Sequence, residues 1–143
     1  MSVKAKDKQE LMDFILDHYE NPRNAGSIGD ADIEQGRCDV LQKGGNPGCG
    51  DIITICLKVE DKIIKDFKFE GEGCIVSQAG TSIISEMVIG KDVNEIRKME
   101  PQLMAEVLGE DLALARPKCS TLGMSTLKLA IRELERQELK KLA

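Results

Sequence analysis

The sequence predicts an α+β domain, a small three-stranded antiparallel sheet packed against helices. Three observations predict it. Residues 52–59 and 63–70 carry the period-of-two alternation of half-buried strands, and only the turn Glu60-Asp61-Lys62 separates them. A weaker strand signal precedes them at residues 36–43. On both sides of this block, apolar residues recur at helical spacing. At 143 residues the chain suits one domain, which at that length buries roughly 68–70% of its unfolded surface and needs no staple to fold.

In chain order, residues 1–8 are expected to be disordered. Leu11, Phe14, Ile15 and Tyr19 then mark a helix over 9–21, which Pro22 stops. His18, the only histidine, falls inside that helix with no ligand partner near in sequence, so a packing or capping role is expected of it. Residues 22–34 read as a loop. In the middle strand Ile53, Ile55, Leu57 and Val59 share one face against Thr54 and Lys58. In the third, Ile64, Asp66 and Lys68 lie opposite Ile63, Lys65, Phe67 and Phe69. The pattern turns helical after Gly73, over 75–88, and Gly90 closes that helix. Asp92 and Glu95 have capping-box spacing and open a short helix. A further helix covers 101–108, and the last runs over 117–141 with Leu122, Leu127, Ala130, Ile131 and Leu134 as its buried stripe.

Composition excludes several classes. The net charge of −5 offers no basic stripe for nucleic acid, and Phe14, Tyr19, Phe67 and Phe69 are the only aromatics available for base stacking. No apolar run reaches the roughly 18–20 residues of a membrane span. The first ten residues are polar and of mixed charge, unlike a secretory signal, so a cytoplasmic protein is expected. In that compartment five cysteines point to metal or sulfur chemistry rather than to disulfides.

The chemistry centres on Asn46-Pro47-Gly48-Cys49-Gly50-Asp51, where a thiol and a carboxylate sit two residues apart in a glycine-flanked loop at the mouth of a strand. Cys74 immediately precedes a helix, and Cys119 lies in the first turn of another. Helix N-termini carry partial positive charge and free N–H groups, which favour the thiolate that binds metal and attacks sulfur. Cys49, Asp51, Cys74 and Cys119 are therefore expected to converge on one metal or sulfur site. The alternative is three cysteines buried as small hydrophobes. No Cys-x-x-Cys pair exists, which sets aside zinc-ribbon, thioredoxin and ferredoxin patterns. Cys56, between Ile55 and Leu57, is expected to pack in the core, and Cys38 to be structural.

With these residues in view, the chain resembles the U-type iron–sulfur cluster assembly scaffolds, the family of IscU, SufU and the N-terminal domain of NifU. The resemblance covers nearly the whole chain. It rests on Asp17-His18-Tyr19-Glu20-Asn21-Pro22-Arg23-Asn24-Ala25-Gly26, on Cys49-Gly50-Asp51, on Gly71-Glu72-Gly73-Cys74-Ile75-Val76-Ser77-Gln78-Ala79 and on Arg116-Pro117-Lys118-Cys119-Ser120-Thr121-Leu122. It implies the SufE/IscU-like fold and an assembly scaffold rather than an enzyme. It also implies sulfur delivered as persulfide by a cysteine desulfurase, a two-iron, two-sulfide cluster, and transfer to recipient apo-proteins. A homodimer is compatible with it. Cys119, at a helix start beside Lys118, is the expected persulfide acceptor.

Two departures from the family pattern bear on mechanism. IscU-type members carry histidine immediately before the last cysteine, where this chain has Lys118. That lysine resembles SufU, whose members bind zinc and relay sulfur, but the SufU-type insertion between the second and third cysteine motifs is absent. Asp51 becomes the expected fourth ligand, a hard donor that binds iron less tightly than thiolate and suits release. Lys118 either favours the Cys119 thiolate and offsets cluster charge, or is a solvated lysine. The chaperone-recognised Leu-Pro-Pro-Val-Lys of IscU corresponds to Leu112-Ala113-Leu114-Ala115-Arg116, without the prolines, so no dedicated chaperone is expected. The zinc-bound sulfur acceptor stands as the alternative to the scaffold. A thiol oxidoreductase is disfavoured because no resolving cysteine lies nearby in sequence.

Overall fold

The structure, a computed structural model, describes residues 7–46 and 50–142. Pro47, Gly48 and Cys49 of the glycine-flanked loop lie outside the described residues, as do residues 1–6. Helix α1 spans Lys8–Glu20, with the Asp7 carboxylate accepting from the Glu10 N–H at its start. Asp7 and Lys8, expected to be disordered, are thus the cap and first residue of a helix. The loop expected over 22–34 ends in a short helix, α2, Asp30–Glu34.

Three antiparallel strands follow: β1 Val40–Asn46, β2 Asp51–Glu60 and β3 Ile63–Glu72, in the order β1-β2-β3. Asp61 and Lys62 join β2 to β3 with φ of 52° and 66°, the two left-handed residues of a hairpin turn whose twist matches its strands. Ile53, Ile55 and Leu57 face inward and are fully buried. On β3 the inward residues are Ile64, Phe67 and Phe69, which simple alternation cannot place on one face. The register supplies the reason. Lys58 pairs with Asp66 but Val59 with Ile64, so Lys65 is bulged out and Ile64 joins the face of the phenylalanines.

Helix α3, Ile75–Val88, and the long α7, Pro117–Leu142, cover the inner face, with α7 over β1 and β2 and α3 against β3. Three short helices connect them: α4 Val93–Arg97, α5 Leu103–Leu108 and α6 Glu110–Ala115. The sequence pattern did not reveal α6. Helices α3 and α7 approach closely, since a Cβ on Gly123 would stand 2.3 Å from Thr81 Oγ1. Residues 24–26 run beside β3, with Gly26 N–H donating to the Phe69 carbonyl and Phe69 N–H to that of Asn24. They cover what would otherwise be an open sheet edge. No helix among the described residues is long and apolar enough to cross a membrane.

On the outer face, Cys38 and Cys56 form a disulfide. This corrects the expectation that none of the cysteines pair in this way, and Cys56 is more than core packing. Its inward neighbours Ile55 and Leu57 turn it to the opposite face of β2. The chain after α2 folds over that face, with Arg37 and Cys38 N–H groups both donating to the Asp32 carbonyl.

Helix α1 packs on α3 through a buried polar network. Ser82 Oγ lies 2.7 Å from His18 Nδ1 and accepts from Arg23 N–H at 2.9 Å. That leaves the hydroxyl proton for a neutral Nδ1 to accept, with the ring proton on Nε2, 3.5 Å from Glu86. The expected packing role of His18 is therefore observed. Burial lowers its pKa, and Arg23 lowers it further against the pull of Glu86 and Asp17. Because the folded value lies below the unfolded 6.5, the neutral ring's contribution is complete above about pH 6.5 and is lost as pH falls through the folded value. Thermal melts at pH 7.5 and 5 should show a larger drop for wild type than for His18→Gln. Equal drops would show that His18 does not carry the acid sensitivity.

Candidate metal centre

Asp51 is the first residue of β2, yet its side chain leaves the sheet. It is 2% exposed, and Oδ1 accepts at 2.8 Å from the backbone N–H of Cys74. Cys74 is the N-cap of α3 and its side chain makes no capping bond, so a carboxylate from the sheet serves the free end of the helix. This approach requires Gly73. Its φ is +111°, and a Cβ there would lie 2.1 Å from Asp51 Oδ1.

Cys119 is the third residue of α7 and is 2% exposed. Its thiol donates to Asp51 Oδ2 at 2.9 Å. One carboxylate thus joins the starts of both helices, one through a backbone N–H and one through sulfur. The ligand atoms of Asp51, Cys74 and Cys119 all lie within 4.8 Å of one another. Tetrahedral coordination with bonds of about 2.0–2.3 Å holds ligand atoms roughly 3.5 Å apart, so modest closure brings all three onto one ion. Two soft sulfurs and one hard oxygen suit zinc or iron. The thiol proton of Cys119 stands where such an ion would bind and must leave when it does.

The cation at the site belongs to Arg116, which the sequence reading passed over in favour of Lys118. Arg116 Nη1 donates to Cys74 Sγ at 3.6 Å. Its pKa is raised, first by its charge interaction with the Cys74 sulfur and then by its hydrogen bond to the Cys119 sulfur. Arg116 joins α6 to α7 with φ −136° and ψ 65°, and its carbonyl accepts from the Ser120 N–H in the first turn of α7, so it stands at the helix start beside Cys119. Lys118, one position before it, is rotated about 100° away and is exposed. The place of Arg116 directly before Pro117, at the start of the last helix, was the available signal. Arg116 and Cys74 edge an open cleft of about 600 Å³ whose walls include Met12, Leu16, Ile75 and Leu112. Cys74 is half-buried and meets this cleft directly.

The structure therefore brings Asp51, Cys74 and Cys119 together as the sequence suggested, while Cys49 lies outside the described residues. Residues 10–141 match the family model described as the NifU-like N-terminal domain. An iron–sulfur cluster assembly scaffold protein IscU of Archaeoglobus fulgidus is 41% identical over 119 residues, covering 83% of this chain and 72% of that one. The zinc-dependent sulfurtransferase SufU of Bacillus subtilis is 32% identical, covering 94% and 98% of the two chains. That alignment runs over 153 positions, more than this chain has residues, so the Bacillus protein carries additional sequence. The crystal structure of a NifU-like N-terminal protein from Brucella abortus superposes with a TM-score of 0.71 at 21% identity, over 88% and 98% of the two chains, and shares the fold.

Proposed function

We propose, because this chain belongs to the NifU-like N-terminal domain family of IscU- and SufU-type iron–sulfur cluster assembly scaffolds, that it assembles a two-iron, two-sulfide cluster on Asp51, Cys74 and Cys119. Cys49, two residues from Asp51 in sequence, completes the proposed ligand set. The observation that carries the reading is the convergence of one carboxylate and two thiols within 4.8 Å at two helix starts. Sulfur arrives as a persulfide on a cysteine desulfurase. Asp51 Oδ2 takes the proton of Cys119, and the resulting thiolate attacks the outer sulfur of the persulfide. A new S–S bond forms on Cys119, and the desulfurase cysteine departs as thiolate. A separate reductant supplies the electrons that turn this sulfur into sulfide. Arg116 balances the negative charge gathered at the sulfurs, and Lys118 adds to the positive potential nearby. The finished cluster passes to recipient apo-proteins in the cytoplasm, and the chain acts as acceptor and scaffold rather than as a catalyst.

A second reading, a zinc-bound sulfur acceptor that stimulates the desulfurase, draws support from Lys118 in place of histidine and from the likeness to the Bacillus protein. Iron, zinc and sulfide analysis of protein purified without oxygen separates the two. Iron and sulfide in equal amounts support the scaffold, and zinc without sulfide supports the acceptor. Incubating apo-protein with a desulfurase and cysteine, then mapping the added sulfur by peptide mass, should place it on Cys119. Sulfur on Cys74 or Cys49 alone contradicts that assignment.

The carboxylate has its own test. Asp51→Ala and Asp51→Cys should each change both the visible spectrum of the reconstituted cluster and its transfer rate to an apo-ferredoxin. Wild-type values for both quantities would remove Asp51 from the ligand set.

A further inference from the structure

We infer that Cys38 and Cys56 form a reversible redox clasp that stiffens the hairpin carrying Asp51. The bond links the chain just before β1 to the middle of β2, across a sequence separation of 18. The ring it closes contains all of β1 and the start of β2, Asp51 among them. Cys56 lies five residues along β2 from Asp51, about 17 Å of extended strand, so the clasp is separate from the metal centre.

Cutting the bond does not release the segment. Asp39 N–H donates to the Leu57 carbonyl, and the Asp39 carboxylate accepts from Val59 N–H at 2.8 Å and from Lys58 at 3.3 Å. The turn before it is held through Asp32, whose carboxylate accepts from Gly29 N–H and Arg37 Nε, each at 2.8 Å. The β1–β2 register runs from Val40–Leu57 to Asn46–Asp51 and does not depend on sulfur. Both redox forms are therefore folded, and they differ in how freely the ring opens. Both sulfurs are buried, at 2% and 4% exposure, so exchange requires the 30–38 segment to lift first.

Reduction by a dithiol breaks the S–S bond. Two electrons and two protons pass to the sulfurs, and the dithiol leaves as a cyclic disulfide. In the reverse direction a disulfide oxidant such as oxidised glutathione takes the electrons and protons. The oxidised form, with the smaller unfolded ensemble, is the more stable. An oxidising shift thus strengthens the hairpin at the moment when metal-binding thiols are most at risk.

The test uses the full chain, with oxidised glutathione and dithiothreitol as the two probes. After oxidation, alkylation and digestion should yield a linked Cys38–Cys56 peptide. Dithiothreitol should lower the Tm of wild type by about 10 °C and speed amide exchange over residues 40–46 and 51–57. The Cys38→Ser/Cys56→Ser variant should already melt at the lower temperature and not respond. Alkylation of both cysteines after oxidation, an unchanged wild-type Tm, unchanged hairpin exchange, or an equal response from the double variant would each overturn the inference. The comparison of wild type under the two probes needs no substitution.

Discussion

Gly73→Ala is expected to lower stability by about 2–3 kcal/mol and to weaken zinc binding at least tenfold. Two costs coincide at this position. The φ of +111° lies where an L side chain is strained, and the new Cβ would stand 2.1 Å from Asp51 Oδ1 and 3.0 Å from its Cα. The carboxylate must move away from the Cys74 N–H, leaving that donor and the Cys119 thiol without their shared acceptor. Gly50→Ala is the matched control. Its φ is +73°, but nothing among the described residues lies within 4 Å of the added carbon, so it bears strain alone, about 1 kcal/mol. Urea denaturation and zinc competition with a chelator measure both effects. Equal zinc affinity in the two variants would mean that Asp51's position does not matter to the metal.

Cys119→Ser should abolish persulfide acceptance and weaken zinc or iron retention by more than about 100-fold, with little loss of stability. A serine hydroxyl is close in size to the thiol and can still donate to Asp51 Oδ2, so the hydrogen bond between α7 and the sheet survives. What disappears is a soft ligand and a sulfur nucleophile. Cys56→Ser, on the outer face of the sheet, should retain the metal. Thiol-reactive mass mapping after exposure to a desulfurase reads the first effect, and metal analysis after gel filtration the second. Normal sulfur loading of the serine variant would place the acceptor elsewhere.

The parts of this fold legible in the sequence are those long enough to show a period or bounded by a cap signal, as the short α4 is by Asp92 and Glu95 and α5 by Pro101 and Gly109. Helices α1, α3 and α7 and the pair β2–β3 each repeat their apolar spacing at least twice. Helices α2 and α6 do not: Asp30–Glu34 and Glu110–Ala115 are too short, and Leu114 in α6 is 81% exposed, so no buried stripe forms. The disulfide escaped notice because it depends on which face of β2 carries Cys56 and on how the chain after α2 crosses it, and β1 was too weak in the sequence to suggest that path. At the metal centre, Asp51, Cys74 and Cys119 were marked by glycine and helix-start positions, signals that a single sequence displays. Arg116 was hidden because the search went to the residue next to the last cysteine rather than to the one before Pro117 at the helix start.

The close contact between α3 and α7 gives the metal centre a vice with one fixed jaw. Thr81 and Gly123 press the two helices together so tightly that a single methyl group would not fit, and Cys74 and Cys119 ride on their ends. The spacing of these sulfurs is set by a helix–helix seam. Asp51 rides on the other jaw, at the end of a hairpin held to that seam at this point by two hydrogen bonds. Under the proposed ligand set, opening the vice would move the Asp51 end of the hairpin while the Cys74 and Cys119 sulfurs keep their spacing. Cargo larger than a single ion can be admitted, or an outside thiolate let in, by a small swing of the sheet end. With Asp51 as the proposed hard ligand among thiolates, the bond to oxygen is the one expected to yield first.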